Sequence, residues 1–193
     1  MMVEKTNAEN EAEKEEEEPL SPEELELLNL PPIRVEEAAD FPPELIVEPE
    51  QEYSEEQRQN LYQKILKMTV PEKIRLAMLG NREARNFLIH DRNKIISMAV
   101  LRSPKMSNSE ILNFAQQKNT PDDVVLTISK NRVWMRNYLI KVAIVSNPKT
   151  PLTVAIKFLD HLHDKDLQTL YRSKNVPSVL AQAAGRVLFK RKR

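Results

Sequence analysis

From Ser54 onward, apolar residues recur three and four positions apart with very little strand-like alternation. That period leaves the α-helix as the regular structure able to gather them on one side. The helix starts can be read one by one. Ser54 with Gln57, Thr69 with Glu72 and Ser107 with Glu110 each place a hydroxyl at a cap and an amide or acid three residues on, a pairing that satisfies two otherwise free amides. Asn81 and Asn93 cap two shorter segments, the first expected to bury Phe87 and Leu88, the second Ile96, Ala99 and Val100. Gly80 is expected to close the helix that Thr69 opens. The fold class that follows is all-α.

The later helices begin in a repeated way. Lys118-Asn119-Thr120-Pro121, Asn147-Pro148-Lys149-Thr150-Pro151 and Lys174-Asn175-Val176-Pro177 each give a polar turn and then a proline whose fixed φ suits a helix start. Ala99 to Lys105 reads AVLRSPK, and 44 residues later Ala143 to Lys149 reads AIVSNPK. Short helices recurring on this scale cannot bury their apolar faces singly, which predicts stacking into an α-solenoid. In the run AIVSNPKTPLTVAIKFL from Ala143 to Leu159, with echoes beginning at Ala99, Asn119 and Asn175, the chain resembles the leucine-rich repeat variant proteins and, more loosely, HEAT-type repeats, over residues 80 to 190. The spacing is less regular than in those repeats, and the cysteine-ligated iron–sulfur segment of one such protein has no counterpart. The resemblance implies a right-handed, curved stack of short helices used for binding, and no reaction.

Charge divides the chain. Residues 1–60 hold 20 of the 29 acids and only four bases, Lys5, Lys14, Arg34 and Arg58, a net charge of −16; the remainder has 25 bases and nine acids, +16. Glutamate runs with spaced prolines and few apolar residues do not offset chain entropy, so residues 1–52 are expected to form an acidic, disordered arm. Residues 53–189 are then a basic helical repeat domain and 190–193 a basic tail. Within the arm, Leu20 to Leu30 stands out: Ser21 can cap, Pro22 fits the first helical turn, Glu23 and Glu24 suit the positive end of the helix dipole, and Leu25, Leu27, Leu28 and Leu30 follow. This reads either as a transient helix or as a docking motif. Phe41, Leu45, Ile46 and Val47 form a weaker apolar patch.

Several classes of function find no support in the residues. The chain has no cysteine, so disulfides and thiolate metal sites are excluded. No run approaches the roughly 18 apolar residues of a membrane span, and the acidic start lacks the apolar core of a secretory signal; no membrane partner and a cytoplasmic location are expected. With Gly80 and Gly185 the only glycines, no phosphate-cradling loop or nucleophile elbow can be written. Glu72, Glu110, Asp122 and Asp123 are accounted for by helix starts. His161 and His163 lie two apart, so on a helix they would point to different sides, and neither a metal site nor another cofactor is expected. No catalytic residue is assigned.

What remains is a surface. Lys130, Arg132, Trp134, Arg136 and Tyr138, followed by Lys141, interleave bases with flat aromatics. On one continuous helix Trp134 and Tyr138 would share a face and Arg132 and Arg136 a neighbouring one. Such a surface suits stacking on bases and contact with phosphates; the same residues equally describe a packing anchor with solvated arginines. Lys118, Lys149 and Lys174, near successive helix starts, would line a stripe if the repeats align. The expected function is a non-catalytic module that binds a protein partner. The alternative is a nucleic-acid binder, for RNA or DNA, whose basic face the acidic arm competes for.

Overall fold

The computed structural model describes residues 40–49 and 53–191. The Leu25, Leu27, Leu28 and Leu30 motif lies outside these residues, as does the rest of the segment before Asp40. The described residues form twelve α-helices and no strand: α1 Pro43–Ile46, α2 Glu55–Leu66, α3 Val70–Leu79, α4 Arg82–Leu88, α5 Lys94–Leu101, α6 Asn108–Gln116, α7 Asp122–Lys130, α8 Arg132–Met135, α9 Tyr138–Ser146, α10 Leu152–Leu159, α11 Asp164–Arg172 and α12 Ser178–Arg191. Packing is mostly between helices close in order: α3 with α4 and α5, α6 with α9, α9 with α10, and both α10 and α11 with α12.

Side chains set the helix ends. The Ser54 and Ser107 hydroxyls accept from the Gln57 and Glu110 amides, and the Gln57 and Glu110 side chains accept in return from the Ser54 and Ser107 amides. At the third start the Thr69 amide donates to the Glu72 carboxylate at 2.7 Å; this bond, with that from the Thr69 hydroxyl, holds the Glu72 carboxyl below the usual carboxylate range. Asn81 and Asn93 cap α4 and α5 through their side-chain oxygens. Pro121 and Pro151 stand immediately before the first helical residues of α7 and α10. Gly80 does cap α3, but with φ −60° and ψ 164° rather than in a left-handed conformation. A Cβ there would lie 2.5 Å from the Leu76 carbonyl oxygen and 3.0 Å from the Ala84 Cβ, so close approach is what requires glycine.

The matched runs AVLRSPK and AIVSNPK make matching bonds. Ser103 Oγ donates to the Met78 carbonyl at 3.0 Å, near the end of α3. Asn147 Nδ2, at the equivalent place, donates to the Ala115 and Gln117 carbonyls at 2.8 and 3.1 Å, at the end of α6. Both side chains are buried. The last carbonyls of a helix have no partner inside it, and here a side chain entering from a later helix end satisfies them. Thr120 and Thr150, each just before a proline, close the helix they follow: their hydroxyls donate to the Phe114 and Ile144 carbonyls at 2.8 and 2.5 Å.

Two boundaries differ from the sequence reading. Residues 40–49, assigned there to the arm, include α1, which packs on α3 and α4 with Leu45 fully buried. Asn81 Nδ2 donates to the Glu44 and Val47 carbonyls at 2.7 and 2.9 Å, and the Asn81 amide donates to the Leu45 carbonyl at 2.7 Å. The partner of this patch is more than 30 residues away, so local composition could not show it. Lys190 and Arg191, assigned to a basic tail, are the last turn of α12.

Candidate interaction surfaces

The segment from Lys130 to Lys141 is not one helix. Asn131 caps the four-residue α8, its side-chain oxygen accepting from the Val133 and Trp134 amides at 3.0 and 3.2 Å. The Asn137 amide donates back to the Trp134 carbonyl at 3.0 Å, and the Asn137 side chain accepts from Leu139 to start α9. An asparagine oxygen competing for backbone amides breaks the helical ladder twice in seven residues. Trp134 and Tyr138 therefore sit on different helices, and the single face expected of them does not form.

Tyr138 turns toward α11. Its hydroxyl donates to the Asp166 carboxylate and accepts from the His163 amide at 2.9 Å, while its ring meets the His163 ring edge-on with centroids 4.2 Å apart. Burial, with the Asp166 hydrogen bond, raises the Tyr138 pKa above that of a free phenol. The residue read as a stacking candidate instead joins two helices. Trp134 is half-buried, and Met135, next to it in the chain, is buried.

The outer side of this corner is open. Val133 is 70% exposed and Leu139 59% exposed, with Lys130, Arg132 and Arg136 exposed around them and Lys141 half-buried. Between Asp123 and Asp160 the chain holds six bases, Lys130, Arg132, Arg136, Lys141, Lys149 and Lys157, and no acid. Along the chain these bases flank Val133 and Leu139, so the exposed aliphatics lie among cations in sequence. Val133 and Leu139 were not singled out from the sequence; a period of three to four assigns every aliphatic residue to the core unless the asparagine caps are first recognised as interruptions.

The remaining candidates are dispersed. Lys149 is 3.4 Å from Asp122, whereas Lys118 and Lys174 are exposed. At the histidine pair, Arg191 claims the surrounding oxygens: it donates to the Leu162 carbonyl at 2.7 Å, the Asp160 carbonyl at 2.5 Å and the Asp164 carboxylate at 2.9 Å. Among the described residues no group of three histidine or carboxylate side chains is placed to hold a metal ion. His90 is half-buried with Nε2 2.9 Å from Gln117 Oε1, and its burial lowers its pKa. Compared with protein families, curated proteins and solved structures, the chain matches none.

Proposed function

We propose that the chain is a non-catalytic protein-binding module and that the α8–α9 corner is its contact surface. The observation that carries this reading is the pair of exposed aliphatics, Val133 and Leu139, beside half-buried Trp134 and within a 36-residue stretch (124–159) that has six bases and no acid. Exposed aliphatics add nothing to folding, and removing them from water on association is favourable by about 25 cal/mol for each Å² covered. A few apolar side chains at the centre with charges at the rim is the usual anatomy of a protein interface. The rim here is cationic, so the partner surface is apolar with acidic flanks. Lys130, Arg132 and Arg136 speed its approach, and Val133 and Leu139 set its residence time.

In this reading the helices form a right-handed stack of repeats of the leucine-rich-repeat-variant or HEAT kind. The equivalent bonds of Ser103 and Asn147, 44 residues apart, support it. A stack holds its surface rigid, and a preorganised surface loses less entropy on binding.

The test is affinity capture from source-cell extract with the wild-type chain and the V133D/L139D variant. Both sites are exposed, so the melting temperature should move little. The expected result is a protein retained by the wild type and at least tenfold depleted with the variant, in moderate as well as low salt. An identical set of retained proteins would remove this corner as the contact surface.

A further inference from the structure

The C-terminal hairpin carries a second surface that the sequence reading did not pick out. On α12, Val179, Gln182, Arg186 and Phe189 follow at intervals of three, four and three residues and are all exposed. They therefore form one stripe along the helix. Phe189 is 59% exposed and Tyr171, from α11, 45% exposed; their rings meet edge-on with centroids 6.1 Å apart. The Tyr171 ring is seated on the backbone of Gly185, where a Cβ would lie 2.7 Å from Tyr171 Cδ2 and 2.9 Å from Cε2. A ring laid against a glycine is fixed in orientation before any ligand arrives. Arg191, bonded to the Leu162 carbonyl and Asp164, fixes the far end of α12.

Apart from Asp164 and Asp166 in the first turn of α11, the charge of this hairpin is positive. After Asp166 no acid occurs, and the last 27 residues hold seven bases. Of these, Arg172, Arg186 and Lys190 are exposed in the same hairpin as the two rings. Protruding aromatic rings with cations beside them, in a stretch that holds no acid after Asp166, match a ligand that alternates flat π-faces with anions.

We infer that the α11–α12 hairpin is a platform for single-stranded nucleic acid, on which bases stack against Phe189 and Tyr171 while Arg172, Arg186 and Lys190 meet phosphates. A second copy docked hairpin on hairpin would set two cationic faces against each other. An acidic protein segment would satisfy the cations, but it gains most from a recess for an apolar anchor. Tyr171 and Phe189 line neither the recess at Asp160–Lys165 nor the groove between α2 and α4. Base stacking needs no recess, and every base offers a π-face, so the platform would be tolerant of sequence. In a duplex those faces are already covered, which makes single strands the preferred form.

The experiment is fluorescence anisotropy of a labelled 12-nucleotide oligouridine with the full chain, at 50 and 200 mM salt, with the matching duplex and a polyglutamate peptide as competitors. Stacking is worth about tenfold or more in affinity per base, so Phe189→Ala should weaken binding by about tenfold and Phe189→Tyr should restore it. Arg186→Gln should weaken binding and lower the salt slope by about one unit, the mark of one lost phosphate contact. Phe189→Ala is read by oligonucleotide affinity and V133D/L139D by the protein retained from extract, which keeps this outcome separate from that for the α8–α9 corner. The inference is overturned if the full chain fails to bind at 50 mM salt, if Phe189→Ala binds as tightly as the wild type, or if polyglutamate or duplex displaces the oligomer as well as unlabelled single strand does.

Discussion

Two arginines do the same work in different surroundings. Arg85, on α4, donates to the Gly80 carbonyl at the end of α3 at 2.7 Å and pairs with Glu110 on α6 at 2.8 Å. Arg191, on α12, donates to carbonyls beyond the end of α10 and pairs with Asp164 at 2.9 Å. Each meets a carbonyl at or beyond a helix end together with an acid distant from itself in the chain. The difference is water: the Arg85 side chain is 2% exposed and its partner Glu110 4%, against 32% and 57% for Arg191 and Asp164. A guanidinium taken out of water needs nearly all its donors met, and Arg85 meets them with a carbonyl, Glu110 and Glu48. Arg191 keeps part of its hydration and is replaceable by it. The Arg85 pair is thus closed to water, whereas water can exchange with the bonds that Arg191 adds to the buried apolar cluster of the C-terminal hairpin.

The largest expected effect comes from breaking the buried pair. Arg85→Ala leaves the Glu110 carboxylate buried, with only the Ser107 amide and hydroxyl as donors, and should destabilise the chain by about 3–5 kcal/mol. Urea denaturation followed by circular dichroism measures it. Arg85→Met with Glu110→Leu removes both charges together and should recover most of that loss, since the cost of the single change is mainly the orphaned charge. If the double variant is as unstable as Arg85→Ala, the pair matters through its shape and the contrast with Arg191 is not one of desolvation.

Most of the helix starts were legible, because caps are local: Ser54, Thr69, Asn81, Asn93 and Ser107 each act within three residues of themselves. The all-α class followed from the same local signals. What escaped was everything whose partner is distant. Ser103 and Asn147 were visible as a repeated pattern, yet their reach to Met78, Ala115 and Gln117 depends on how helices pack. Leu45 and Arg191 were assigned to termini for the same reason. The surface around Trp134 was half legible. Its bases Lys130, Arg132 and Arg136 are exposed, but Asn131 and Asn137 divide the expected helix and so decide that Tyr138 turns inward while Val133 and Leu139 stay outside. Tyr171 and Phe189 were missed because they lie on different helices, α11 and α12, whose packing brings the rings together.

A middle-sized effect should come from the neutral counterpart of these arginines. Asn147→Ala removes the donors to the Ala115 and Gln117 carbonyls together with the acceptor for the Lys149 amide, and should cost about 1–3 kcal/mol, since buried carbonyls are left unmet. Ser103→Ala removes a single bond and should cost about 1 kcal/mol. The ratio is informative in itself. Equal losses would mean that water enters the junction in the Asn147 variant and takes over the missing bonds.

Arg191→Ala should have the smallest effect on global stability, no more than about 1 kcal/mol, because a pair this exposed gives up little solvation when formed and regains it when broken. Its consequence is expected to be local. Without the guanidinium the last turn of α12 loses its tie to the Leu162 and Asp160 carbonyls, and fraying there raises amide exchange around Val187 to Lys190 while exchange in α3 to α5 stays unchanged. The same variant at 1 M salt should lose less than at 0.1 M relative to the wild type, since only the Asp164 component is screened and the carbonyl bonds are not. Were Arg191→Ala instead to unfold the whole chain, the hairpin would be as dependent on its arginine as the N-terminal helices are on Arg85, and burial would not be what separates the two halves.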